Sequence, residues 1–448
     1  MTADVRGPVT GGVRGSAFSL PEVDVAARGY VAEEFFFGGT ATSYAPAPGA
    51  ALGEDGKWDA VAHGSADFRT RMLVVRPADP AAANGTAVVH WLNVSAGYEK
   101  GSADDEELLS GFVWVGVSAQ QVGIDGRAPG APQYAGRSLP GDPLKVWDPE
   151  RYGSLVHPGD EFSYDMFTQA GAVIRSGAVT GGVGVERLVA TGASQSGGRL
   201  TTYLNAVHPM VQVYDAFMPT ITAAGGTLLQ AVPPDVPLFD TARRHIHGRH
   251  RDDLDVPVFV VNSEQETVAF GPTRRADSDW YRFWEVTGAP HTLPQAPPPE
   301  PHPKGRVDNL LSYRPVLSAA YGAMHRWLVE GIEPPRFAPI ELGADGAIVR
   351  DEHGNGRGGV RLPELVAPIA EYHGRDDDRS GFLMIYGWAR QFSRDELRTL
   401  YRSRDAYVDA YRRGVDELVA AGGLRPAESS ARYDEAAKIA ANLDLGGE

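Results

Sequence analysis

Six runs of apolar and β-branched residues, each bounded by turn-forming residues, limit what this chain can fold into. They are "RMLVVRP" (71–77), "AVVHWLNV" (87–94), "FVWVGVSAQ" (112–120), "RLVATG" (187–192), "VYDAFMP" (213–219) and "VPVFVVNSE" (256–264). Most are continuous rather than alternating, which marks strands covered on both faces, as in a parallel sheet between layers of helices. The stretch "FSYDMFTQAGAVIRSG" (162–177) has the length and apolar spacing of a crossover helix between such strands. An α/β architecture with a mostly parallel central sheet is therefore expected.

Two stretches interrupt this pattern. Residues 220–255 turn polar and arginine-rich, and "QAPPPEPHPKG" (295–305) carries prolines that cannot join a helix or a central strand. Both read as surface insertions, the first as a cap. Further on, "SRDE" (393–396) is a capping box, and Tyr407, Val408, Tyr411, Val415, Leu418 and Val419 repeat at helical spacing up to Gly422-Gly423. A C-terminal helical extension over about 393–442 follows. The 448 residues exceed the ~250–300 at which one plain core stops growing. With no internal repeat to divide it, the chain 1–448 reads as one elaborated domain.

Composition closes several function classes. A net charge of -16 argues against nucleic acid, whose phosphates demand clustered lysine and arginine. With no cysteine there is no disulfide, thiolate metal site or cysteine nucleophile. Neither a signal-type apolar segment nor about 18 consecutive apolar residues occurs, so a soluble cytoplasmic protein with no membrane partner is expected.

The chemistry is concentrated in "TGASQSGG" (191–198), directly after Leu188-Val189-Ala190. A serine hydroxyl is a weak nucleophile until a turn exposes it, a base takes its proton and N–H donors await the oxyanion. A strand-to-helix elbow meets the first need and demands small residues two positions either side of the nucleophile. Ser194 has Gly192 and Ser196 there; Ser196 would have Ser194 and Gly198. The Ser194 register fits better, because "LVAT" ends just before Gly192 and "SGGRLTTYLNAV" opens a helix just after Gln195. Two later loops offer partners in the order acid, then histidine. "NSEQET" supplies Glu266, with Glu264 as the alternative acid, and His291 follows the short strand "WEV". The Gln195 N–H and that of Asn93 or Val94, in the loop after an early strand, are the candidate oxyanion-hole donors.

Together "HWLNVSAG", "FVWVGVSAQQVGI", "FSYDMFTQAG", "GASQSGGRL", "SEQETVAF", "DSDWYRFWEVTGAPH" and "LRTLYRSRDAYVDAY" resemble the bacterial alpha/beta hydrolase domain-containing proteins, over roughly residues 70–440. The resemblance implies an α/β-hydrolase fold that includes the C-terminal helices, a triad of Ser194, an acid in "SEQE" and His291, and serine esterase activity. It departs from the family at the proline-rich 295–305 and the charged 239–255, both of which bear on substrate choice. The expected reaction is hydrolysis of a small-molecule carboxylic ester or lactone through an acyl-enzyme, with no cofactor. Alternatives are an acyltransferase or peptidase using the same triad, or a catalytically silent small-molecule binder. "HIHGRH" (245–250) mimics a metal motif but has Arg249 where the aspartate belongs, and reads as a solvated basic cap segment. The glycine-rich 179–192 lacks a phosphate-loop lysine. Trp91, Trp284 and Tyr281 read as core more readily than as an acyl pocket.

Overall fold

Each apolar run becomes a strand in the computed structural model of the chain, which describes residues 4–127, 141–223, 225–230, 245–293, 302–303 and 305–445. Parts of both expected insertions, 224 and 231–244 in the first and 295–301 and 304 in the second, lie outside the described residues. The residues group into two units.

The first unit comprises Met1–Phe259 with Thr273–Arg275 and Asp279–Tyr281. Its strands are β1 (Asp4–Arg6), β2 (Tyr30–Pro46), β3 (Ala60–Pro77), β4 (Thr86–Trp91), β5 (Val113–Val117), β6 (Arg187–Ala193) and β7 (Ala216–Thr220). They lie in the order β1-β2-β3-β5-β4-β6-β7. The first three pairings are antiparallel, and those of β5, β4, β6 and β7 are parallel. The parallel strands are continuous apolar runs because both their faces are covered, and the 71–75 stretch of antiparallel β3 is buried in the same way. The helix Ser163–Arg175 supplies part of that cover, burying Tyr164, Phe167, Ala170 and Ile174. Phe167 stacks on Tyr214 at 4.9 Å between ring centres. Trp91 and Tyr281 are fully buried, so their reading as core holds. A short pair, β8 (Gly226–Thr227) with β9 (His245–Ile246), follows β7. The next strand, β10 (Val258–Ser263), begins in this unit, where Phe217 N–H donates to Pro257 O at 2.9 Å.

The second unit comprises Val260–Pro272, Ala276–Ser278 and Arg282–Glu448. It holds most of β10 and of its neighbour β11 (Tyr281–Val286), together with a 17-residue helix, Arg314–Glu330. Trp284 is buried here and donates to Pro335 O at 2.8 Å, again as core. A hairpin of β12 (Ala370–His373) and β13 (Trp388–Gln391) precedes the helices Arg394–Leu400, Arg404–Ala420 and Ser429–Ala441. The capping box at Ser393 is formed, with Ser393 N–H donating to Glu396 at 2.7 Å and Glu396 N–H to Ser393 Oγ at 3.3 Å. Tyr407, Tyr411, Val415 and Leu418 are the buried face of the following helix, and Gly422 takes the left-handed turn after it. Among the described residues no helix is long and apolar enough to cross a membrane.

In the first unit the β2–β3 ribbon is tied to the rest by buried charge. Arg71 on β3 pairs with Glu34 on β2 and, at 2.7 Å, with Glu99. Arg151 reaches Glu34 at 2.6 Å, and the Tyr152 hydroxyl donates to Glu34 at 2.8 Å. Two guanidinium groups thus balance two carboxylates, all nearly removed from water. Burial pushes the Arg71 pKa down, but Glu34 and Glu99 outweigh it and raise it. Removing one partner strands a charge rather than merely losing a bond. Arg71→Met is therefore expected to lower unfolding stability by about 3–5 kcal/mol, measured by urea denaturation; a loss no larger than that of a surface pair would contradict this.

Candidate active site

The elbow forms where β6 meets the helix Gln195–Thr202. Ser194 sits between them at φ 59° and ψ -119°, a conformation that side-chain-bearing residues rarely adopt. Four contacts hold it there. Ser194 N–H donates to Thr220 O at 3.0 Å, and Gly198 N–H donates to Ser194 O at 3.1 Å. Ser196 Oγ donates to Ala193 O at 2.9 Å and accepts from Ala193 N–H at 3.0 Å. Gly192 is required by space, since a Cβ there would lie 2.7 Å from Ser196 O. These bonds also separate the two serines. Ser196 is fully buried and its hydroxyl is spent on the backbone, whereas Ser194 is partly exposed at the turn.

The helix after the elbow is anchored by Arg199, which pairs with Asp160 at 2.9 Å. Burial raises the Asp160 pKa, but Arg199 leads the opposing influences that hold it below its usual range. The helix then widens into one π-turn over Tyr203–Val207, a feature frequent at functional sites. In that turn Asn205 donates to Arg249 O at 2.9 Å and accepts from Arg251 N–H at 3.1 Å. His250 is buried beside it, 3.1 Å from Thr201 Oγ1, and burial lowers its pKa to about 3. This corrects part of the reading of "HIHGRH" as solvated: His247 and Arg249 are exposed, but Gly248 and His250 are buried, in a segment whose backbone Asn205 holds at Arg249 and Arg251.

The loop after β4 lies against the elbow. Asn93 Nδ2 donates to Ala193 O at 2.9 Å, and Asn93 Oδ1 accepts from Ser95 N–H at 2.8 Å. The Asn93 N–H donates to Lys100 O at 2.9 Å, so this candidate oxyanion donor is already committed. Of the pair weighed from the sequence, Val94 is left, alongside Gln195 at the first turn of the helix. Asn93 acts instead as a brace between loop and elbow, a role its short amide allows and its position alone did not signal.

In the second unit the acid and the histidine meet. Glu266 Oε1 lies 2.6 Å from His291 Nδ1. The other carboxylate oxygen accepts from Ser263 N–H at 3.0 Å and from Ser263 Oγ at 2.6 Å. Ser263 places both of its donors on that oxygen, which leaves Glu266 Oε1 as the acceptor that faces His291. Nδ1 therefore carries the proton, and Nε2 is left as the basic nitrogen. His291 N–H donates to Ile385 O at 3.1 Å, which fixes the loop that carries the ring.

Glu264 does not reach His291. Its Oε2 accepts from Gly288 N–H at 2.7 Å, and its Oε1 accepts from Arg350 and from Gly374 N–H, each at 3.0 Å. It ties three loops together, one of them the loop leading to His291. Asn309 supports the same loop by donating to Gly288 O at 2.7 Å. The sequence did carry a signal for choosing between the acids: Ser263-x-x-Glu266 is a capping-box spacing that turns Glu266 back over the strand end. Among the described residues no cluster of histidine, aspartate and glutamate is arranged to hold a metal ion.

No curated protein matches the chain. Among solved structures it is similar to an arylesterase (13% identity, 44% of this chain and 62% of that one, TM-score 0.24). It is also similar to XC6422 from Xanthomonas campestris, an a/b serine hydrolase without lid (12%, 48% and 78%, 0.27). A third is a glucuronoyl esterase from Solibacter usitatus (10%, 63% and 80%, 0.28). The chain thus spans less than two thirds of the arylesterase, and at such identities and TM-scores these likenesses say nothing of substrate. A family model described as alpha/beta hydrolase domain matches residues 5–433, nearly the whole chain. By that match, this chain belongs to the alpha/beta hydrolase domain family.

Proposed function

We propose that this alpha/beta hydrolase is a serine esterase that cleaves a carboxylic ester or lactone of a small molecule through an acyl-enzyme. Ser194 is the nucleophile, His291 the general base and Glu266 its orienting acid. The observation that carries the reading is the 2.6 Å contact of His291 Nδ1 with Glu266, which fixes the tautomer a base needs. The strained backbone of Ser194 is what a nucleophile elbow requires, and the chain order of serine, acid and histidine is that of the family.

In the first half-reaction the Ser194 hydroxyl gives its proton to His291 Nε2 as Oγ attacks the ester carbonyl. Glu266 stabilises the imidazolium that results without itself taking the proton. The N–H groups of Gln195 and Val94 receive the developing oxyanion. Collapse expels the alcohol, which takes the proton from His291. Water then attacks the acyl carbonyl as it gives a proton to His291 Nε2, and collapse breaks the bond to Ser194 Oγ, which takes that proton back as the acid leaves.

A fluorophosphonate is expected to label Ser194, read by peptide mass spectrometry. Ser194→Ala should abolish the label and Ser196→Ala should retain it; an unlabelled but folded protein would overturn the reading. Glu266→Gln should lower kcat on the order of 10³–10⁴-fold with little change in KM, since an amide at that position favours the wrong tautomer. Glu264→Gln is expected to act first on melting temperature, and an equal kcat loss in the two variants would contradict the assignment of the acid.

A further inference from the structure

The segment Gly381–Tyr386, "GFLMIY", is a six-residue 3₁₀ helix in the second unit in which five consecutive apolar side chains are neither buried nor fully exposed. It is nonetheless well fixed. Gly381 and Gly387 bracket it in left-handed conformations, φ 59° and 62°, and a Cβ on Gly387 would lie 2.2 Å from His373 O. Asp376 N–H donates to Met384 O at 3.0 Å, and His291 N–H donates to Ile385 O at 3.1 Å. An ordered loop that leaves five consecutive apolar residues only partly buried forgoes part of the burial that would stabilise it, and keeps apolar surface that an apolar ligand can cover.

Two observations say what that is. The His291 bond sets the main chain of the patch beside that of the base, so an occupant lies at the reacting end of a bound substrate. The charges around the patch are paired: Arg375 with Asp377 at 2.5 Å, Arg306 with Asp378 at 2.5 Å and with Asp376 at 3.4 Å, and Arg379 with Asp376 at 3.3 Å. Pairs of this kind suit a neutral ligand better than an anionic one.

We infer that Leu383, Met384 and their neighbours form a binding wall for an uncharged, apolar acyl chain of medium length, and so determine substrate choice. The inference rests on the esterase reading for the site it serves, and its test separates the two. Wild type, Leu383→Ser and Met384→Ser are compared on 4-nitrophenyl acetate and 4-nitrophenyl octanoate. Each variant is expected to lose about tenfold or more in kcat/KM on the octanoate ester and to stay within about twofold on the acetate. Equal losses on both esters would overturn the wall. In parallel, binding of the uncharged octanamide is measured by calorimetry on Ser194→Ala alone and combined with each substitution, which needs no turnover. Weakened binding in the double variants supports the wall even if no ester is hydrolysed, in which case only the esterase reading falls. Binding unchanged by both substitutions overturns the wall whether or not esters are cleaved.

Discussion

A serine at φ 59° and ψ -119° costs on the order of 1–3 kcal/mol and persists only where its surroundings leave it no alternative. In the first unit much of the sheet's end is devoted to that constraint. Thr220 at the end of β7 takes the Ser194 N–H, Ser196 clamps the last residue of β6, and Asn93 on the loop after β4 holds the same residue from the other side. Three parallel strands thus converge on one turn. A parallel sheet is suited to this because its strand ends all emerge at one edge, where loops can be braced by their neighbours.

The second unit solves a different problem, how to keep an imidazole in one tautomer. Glu266 is pinned by Ser263 through both backbone and hydroxyl, so its free oxygen can face only His291. Glu264, two residues away and chemically identical, spends its carboxylate on Gly288, Gly374 and Arg350. One acid orients the ring and the other holds the loops that carry it. The difference arises from which backbone N–H groups each carboxylate meets, and in no way from intrinsic acidity.

Much of this was legible in the sequence, for local reasons. The parallel strands were visible because strands covered on both faces are apolar throughout. The elbow was visible because a strand must stop, and a helix start, around residues small enough for the turn. The β2–β3 ribbon was not singled out as a pair, since its 17- and 18-residue strands mix charged, glycine and aromatic positions and are set by pairing with each other. The helix Arg314–Glu330 escaped for a similar reason: its buried face is largely alanine, serine and glycine, which give little apolar periodicity. The commitment of the Asn93 N–H to Lys100 depends on a bridge closed seven residues later, and no pattern of residue types announces it.

The central claim is that Ser194 forms a covalent intermediate during turnover. Its most direct test is rapid acid quenching of the enzyme with a slowly deacylating ester, followed by fragmentation of the peptide Leu188–Arg199, which contains both serines. The account predicts one acyl group per chain, on Ser194. Ester turnover with no acylated peptide, or acyl carried by Ser196, would contradict it.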